Sequence, residues 1–453
     1  MALVPEIPRR QRNMVDTCFE EQLFDGGLGV LDRIRTPDAV PSQQHIRQLL
    51  YLALYPPVTD RKEVKKQVPK RNPRGQKQIG EIPPPERAVV DLALTTLFHF
   101  VRTNDARVIL SSIPSYEASI EDEVNDTTSS RLAFHAESIS RVKHCWEILS
   151  PNYILPEGCN PIPSKRSKLV ADYAWGVFDW LVEAFEREAA NEGGVSPTLL
   201  AQLPKSSGGP KVIINTPLDI IAASFAEPLD QRRIDSGTRL LALLVALTKT
   251  TPPLLSSDRL LGETCRRLES MSVPSFSTFL TRVDDLPFKC SLACAFIVQH
   301  SEVASTPALS TGTNNNRRQT TPQPPSLRIS RGDSMRTSGV YGIPGVDRVL
   351  EIVRLNVRIQ DDLAEDEEGE DISGVPNAGD QTFKHATMKL HLLGSIAGLK
   401  LVWQDESWRG AIKDGRVKKS IREGFEFGDG SDERLTAIGY TAVASGNAWL
   451  SSL

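Results

Sequence analysis

The chain has 453 residues, 40% hydrophobic and 24% charged, a balance that buries a sizeable core and excludes wholesale disorder. Its formal net charge of −4 supplies no overall basic field, so any hold on nucleic acid must come from a local patch. Cys18, Cys145, Cys159, Cys265, Cys290 and Cys294 are too scattered for the disulfide framework of a small secreted domain, which points to a reducing compartment.

The opening MALVPEIPRRQRN lacks the apolar stretch of a secretory signal. No apolar run approaches the roughly 18–20 residues of a membrane span, the nearest being Leu240 to Leu247. The expectation is an intracellular chain with no membrane partner, in which the sequon Asn125-Asp126-Thr127 carries nothing.

After a polar start, Ile46, Leu49, Leu50 and Leu54 share one face of a predicted helix from Gln44 to Leu54, which Pro56-Pro57 stops. Residues 58–85 have no apolar period and are rich in proline, glycine and basic side chains, so they read as a long exposed loop. A helix beginning at Pro85-Glu86 runs through Val90, Leu94, Leu97 and Val101. Leu132, Ile139, Val142, Trp146 and Leu149 predict the next, followed by a proline-rich break from Pro151 to Pro163. Ser167 then caps a helix with Val170, Tyr173, Val177, Leu181 and Ala184, which ends near Asn191 to Gly194.

Lys211 to Asn215 has the pattern of a short strand, too isolated to build a sheet. Thr216-Pro217 opens a helix through Ile220, Ile221 and Phe225, and Thr238 to Thr248 is apolar on nearly every side, as a central buried helix is. Ser257 caps another with Leu261, Cys265 and Leu268, and Pro274 and Pro287 each begin a short one. From Val303 to Tyr341 the chain is polar, proline-bearing and almost without aliphatic residues, the composition of a disordered linker. Helical pattern resumes at Val346, Val349, Val353 and Val357 and meets an acidic stretch from Asp361 to Asp371 with eight carboxylates. Three more helices are predicted near 381–402, 405–423 and 431–450, the first carrying Leu390, Leu393, Ala397, Lys400 and Leu401.

The predicted fold is therefore all-α, either an irregular helical array (an α-solenoid) or a large helical bundle, with long disordered loops. Helix starts at 128 and 167, and at 217 and 257, are spaced at about the ~40–47 residues of a HEAT or armadillo unit, a resemblance of architecture without a residue-level consensus. The organisation read from composition is a helical-repeat-like region 1–302 with the basic loop at 58–85, a Ser/Thr/Pro/Arg-rich linker 303–341, and a helical segment 342–453 with an acidic loop at 361–380.

Arg61 to Lys77 holds eight basic residues and one acidic one. Lys65, Lys66, Lys70, Arg71, Arg74 and Lys77 suit the acidic groove of a nuclear-import receptor or the phosphates of a nucleic acid, and a solvated loop has the same composition. No aromatic residue lies among them to stack on bases, which disfavours direct nucleic-acid binding. In the linker, Ser330, Ser334 and Ser338 lie among arginines, and Thr306 and Thr321 each precede proline, patterns that kinases read. The tripeptide Arg331-Gly332-Asp333 is read as chance, and the acidic run as a solvated loop that could also receive a basic partner.

Cys290, Cys294 and His300 form the best candidate for a metal set, but the apolar neighbours Leu292, Phe296 and Ile297 favour core packing, and His144-Cys145 beside Trp146 reads the same way. Ser206 to Lys211 lacks phosphate-loop spacing and reads as a turn. No cofactor, metal or catalytic set is assigned. The functional expectation is a non-enzymatic scaffold or adaptor for another protein, nuclear in residence and regulated through the linker. The alternatives are an RNA-binding or nucleocapsid-type protein of two helical lobes, and an enzyme with an unrecognised site.

Overall fold

The computed structural model describes residues 5–56, 84–116, 130–151, 153–154, 169–204, 213–301, 344–356, 378–399, 405–427 and 432–451. Among these the fold is all-helical, and the only extended pairings are isolated bridges between Glu6 and Val40 and between Thr36 and Ala39. No described helix is long and apolar enough to cross a membrane. The chain divides into two compact units, Met1–Leu255 and Ser256–Leu453. The division falls ahead of the polar segment at 303, where composition alone drew it.

The first unit opens with α1 (Arg9–Glu20) and α2 (Phe24–Arg33), joined by a tight turn in which Gln22 adopts a φ of 63°. In α3 (Gln43–Ala53) the Ser42 hydroxyl accepts from the His45 amide, and the helix is buried on all sides from His45 to Ala53. Next come α4 (Arg87–Thr103), α5 (Ala106–Leu110), capped by Asp105, and α6 (Arg131–Ala136), capped by Ser130. The predicted helix over 132–149 is instead α6 followed by two single 3₁₀ turns, Glu137–Ile139 and Glu147–Leu149. Of its apolar residues Leu132, Ile139, Trp146 and Leu149 are still buried and Val142 is half-buried; Trp146 donates to the Gln202 carbonyl and the Cys145 amide donates to the Gln202 side chain.

The long helix α7 (Trp175–Asn191) starts later than its apolar pattern suggests, so Val170 and Tyr173 precede it; Ser167 lies outside the described residues. Its buried Glu188 accepts from the Thr198 amide at 3.0 Å and the Thr198 hydroxyl at 2.7 Å, which anchors α8 (Pro197–Ala201) to the end of α7. Of the expected strand, Lys211 and Val212 lie outside the described residues, Ile213 and Ile214 are not in a strand, and Asn215 begins α9 (Asn215–Ser224). Proline at 217 sits in that helix's first turn, where a missing amide costs nothing. Asp230 caps α10 (Gln231–Thr248) by accepting from the Arg232 and Arg233 amides.

Helices α2, α4, α7 and α10 pack side by side in that order. In addition α1 packs on α2, α3 on α4, α5 and α8 on α7, and α9 on α10. Buried Trp180 of α7 ties it to α4 by donating to the Leu97 carbonyl at 3.0 Å. The α9–α10 contact is close because Gly237 carries no side chain; a Cβ there would lie 1.9 Å from the Ser224 hydroxyl oxygen.

The second unit contains α11 (Ser257–Ser270), α12 (Val273–Arg282), α13 (Leu286–Gln299), α14 (Val346–Arg354), α15 (Ala378–Gly398), α16 (Glu406–Lys413), α17 (Arg416–Gly424) and α18 (Glu433–Ser451). Ser256, one residue before the expected cap, accepts from the Arg259 amide to start α11. Proline in the first turns of α12 and α13 follows the sequence expectation. The single helix expected over 405–423 is divided at Asp414 and Gly415, where Gly415 takes a φ of 72° and begins α17 in a new direction. At the centre lies α15, which packs most extensively on α13 and also on α12 and α18, while α17 packs on α14 and α18. Gly424 permits the α14–α17 approach: a Cβ there would be 2.3 Å from the Val353 carbonyl oxygen.

These contacts separate two kinds of helical glycine. Gly237→Ala is expected to lower stability by about 1–3 kcal/mol, since overpacking outweighs the gain in helix propensity. Gly262→Ala, at an exposed position of α11 with open space around it, is expected to raise stability by roughly 0.5–1 kcal/mol. Urea titrations of the two variants check both signs.

Candidate functional site

The basic residues Lys65, Lys66, Lys70, Arg71, Arg74 and Lys77, the linker residues Thr306, Thr321, Ser330, Ser334 and Ser338, the Ser206 to Lys211 turn and the acidic run all lie outside the described residues. Cys290 and Cys294 do share a face of α13, and both are buried. His300 stacks on Phe296 at 4.5 Å and lies 3.8 Å from Glu269. Among the described residues no three His, Cys, Asp or Glu side chains come together as a metal set. Cys145 is buried, and His144 lies 3.3 Å from Glu147.

Across the row of the first unit, charged side chains form a seam between neighbouring helices. Arg102 of α4 makes a two-pronged bond to Glu183 of α7, at 2.8 and 3.0 Å, and holds its carboxyl below the usual range. Arg239 of α10 binds Glu186 at 3.0 Å and Asp179 at 2.8 Å, both on α7. Part-exposed pairs of this kind contribute roughly 0–1 kcal/mol each. Their effect is to neutralise the α7 carboxylates within the layer.

The second unit carries an open groove lined by Asp347, Leu350, Glu351, Arg354 and Leu355 of α14 and its end, with Arg416 of α17. Leu350 is buried at its floor and Leu355 is half-exposed. Charged pairs surround that apolar strip: Arg416 to Asp347 at 2.6 Å, Arg348 to Glu351 at 2.7 Å and Arg354 to Glu423 at 3.0 Å. The groove thus sets two leucines among four charged side chains.

Sequence reasoning missed the basic groups inside the second unit. Lys384, His385 and Lys389 of α15 are all buried, with His391 half-buried two residues after Lys389. The Lys384 ammonium donates to the Glu269 carbonyl at 2.7 Å, at the end of α11, and lies 5.8 Å from the Phe276 ring. The Lys389 ammonium donates to the Gly424 carbonyl at 2.9 Å, at the end of α17, and lies 6.0 Å from the Phe425 ring. His385 hydrogen-bonds the backbone of Ile297 in the last turn of α13.

Each of these partners is a helix C-terminus, where carbonyls lack intrahelical donors and the dipole favours a cation. Burial pushes Lys389 down to about 8 and, with the Lys389 charge adding to it, His385 down to about 3. Burial and then Lys289 bring His391 down to about 4. Burial also lowers Lys384, against the opposing pull of Asp380 and Glu269.

No family model, no curated protein and no solved structure matches this chain. The expected cost of removing a cap follows from the geometry alone. Lys389→Ala leaves the Gly424 carbonyl without its donor and opens a cavity, and is expected to cost about 2–4 kcal/mol. Lys389→Met keeps the packed stem and removes a buried charge but also leaves the Gly424 carbonyl unpaired, and is expected to cost about 1–3 kcal/mol, less than the alanine because no cavity opens. Thermal unfolding of both variants tests the difference.

Proposed function

We propose that this chain is a non-enzymatic helical scaffold or adaptor that holds a segment of a partner protein. The observation that carries the reading is the α14–α17 groove, with Leu350 and Leu355 forming an apolar strip between charged pairs. An aliphatic or aromatic anchor of the partner would rest on that strip, and its charged flanks would exchange with Asp347, Glu351, Arg354 and Arg416. The row of α2, α4, α7 and α10 supplies a second extended wall of the kind that helical arrays use for partners. Nuclear residence through Arg61 to Lys77, and phosphorylation at Thr306, Thr321, Ser330, Ser334 and Ser338, belong to the same proposal and rest on sequence pattern.

A second reading, RNA binding, draws support from exposed Lys418 and Arg422, one turn apart on α17. It requires binding that weakens steeply with rising salt; no binding at low salt excludes it.

The scaffold reading is tested by affinity purification of the tagged full chain beside its Leu355→Asp/Arg416→Glu variant, followed by mass spectrometry. A partner recovered with the native chain and reduced at least about tenfold with the variant supports the groove, since losing a central anchor costs more than ~1.4 kcal/mol. Recovery of the same proteins in equal amounts removes it.

A further inference from the structure

The two units treat their histidines differently. In the first, His45 lies 3.1 Å from Asp16, His99 2.8 Å from Asp32 and His144 3.3 Å from Glu147, while His135 packs against Tyr51 and Phe134. In the second, the histidines of α15 face cations. His385 is followed one turn later by Lys389 and interacts with His300, while His391 faces Lys289 of α13. Glu269 of α11 sits beside His300, and Asp380 acts on Lys384 and pairs with Arg434 of α18. From α17 the group presented is the Gly424 carbonyl, and from α12 the Phe276 ring. The Nε2 atoms of His385 and His300 are buried without a hydrogen-bond partner.

We propose that α15 is an acid-responsive latch: protonation of His385 and His391 in mild acid expels the helix from the C-terminal carbonyls of α11, α13 and α17 that it caps, and opens the second unit while the first stays closed. A proton on His385 adds positive charge to a buried set that already holds two ammonium groups, and one on the half-buried His391 adds to the charge of Lys289. Among the described residues no carboxylate pairs with either ring to offset it. The direction is fixed by linkage: folded imidazoles at about 3 and about 4, against an ordinary 6.5, bind fewer protons than the unfolded chain. Stability of the second unit is therefore complete above about pH 6.5 and falls as the pH drops toward 4. This inference concerns the core and is independent of the scaffold reading.

The test is hydrogen exchange of the full-length chain at pH 7 and pH 4.5, read by mass spectrometry and normalised to intrinsic exchange rates. Peptides of α15 are expected to lose at least about tenfold in protection relative to peptides of α7, because each group shifts the opening equilibrium up to about tenfold per pH unit. His385→Asn/His391→Gln is expected to abolish most of that loss; the asparagine nitrogen takes the place of the ring nitrogen that bonds to Ile297. Should that variant not fold, Lys389→Met serves instead, and is expected to move the acid transition to lower pH because it removes the cation facing His385. Retained protection of α15 at pH 4.5, equal loss in both units, or an unmoved transition in the variants overturns the proposal.

Discussion

The second unit depends on how it satisfies the ends of its own helices. A helix leaves four carbonyls without intrahelical partners, and a C-terminus buried against another helix cannot turn to water for them. Here α15 brings donors to three such ends: Lys384 to α11, His385 to α13 and Lys389 to α17. One helix thus sets the position of three others through directional bonds, and apolar packing fills the space between. The arrangement has a cost, since two ammonium groups leave water. Carbonyl ends of helix dipoles and the rings of Phe276 and Phe425 offset it, with Asp380 and Glu269 acting on Lys384 as well.

The first unit solves its assembly differently. Its central helices meet through apolar faces, with Trp180 reaching one backbone carbonyl and Gly237 bringing α9 against α10. Its seam of charged pairs, where Arg102 and Arg239 meet carboxylates of α7, keeps access to water. Half-solvated pairs contribute little to stability, and they also demand little. The two units therefore differ in how they bury charge: the first holds the Glu188 carboxylate on donors of α8 and keeps its arginine–carboxylate seam at the rim, and the second holds two lysines on helix-end carbonyls.

That difference explains what the sequence made legible. Regular apolar spacing bounded by a cap or a first-turn proline was enough for α3, α9, α12 and α13, because each such helix carries its own start signal and a buried face, whereas α4, whose N-cap Glu86 makes no side-chain cap, was legible from its spacing alone. Absence of that signal hid α1, whose N-cap is Pro8 and whose first turn holds arginines that oppose the dipole. The division at Leu255 was hidden as well, since a short turn between packed helices changes composition less than the polar segment at 303 does. In α15 the pattern inverts the usual rule. Leu390 is half-buried while its neighbour Lys389 is buried, and a reading that sends lysine to solvent assigns the faces wrongly.

No local signal could have corrected that last error. What buries Lys389 is the end of α17, some 35 residues downstream, and what buries Lys384 is the end of α11, more than a hundred residues upstream. A lysine tolerates such a place because its long stem packs like an aliphatic chain while three donors rotate to meet whatever carbonyls the neighbours offer. Histidine lacks that latitude, since its ring has fixed donor directions and its second nitrogen must be left bare when only one acceptor is present. The bare Nε2 of His385 is thus the point where the capping scheme of this core is incomplete, and an incomplete polar network in a dry interior is where protonation does the most damage.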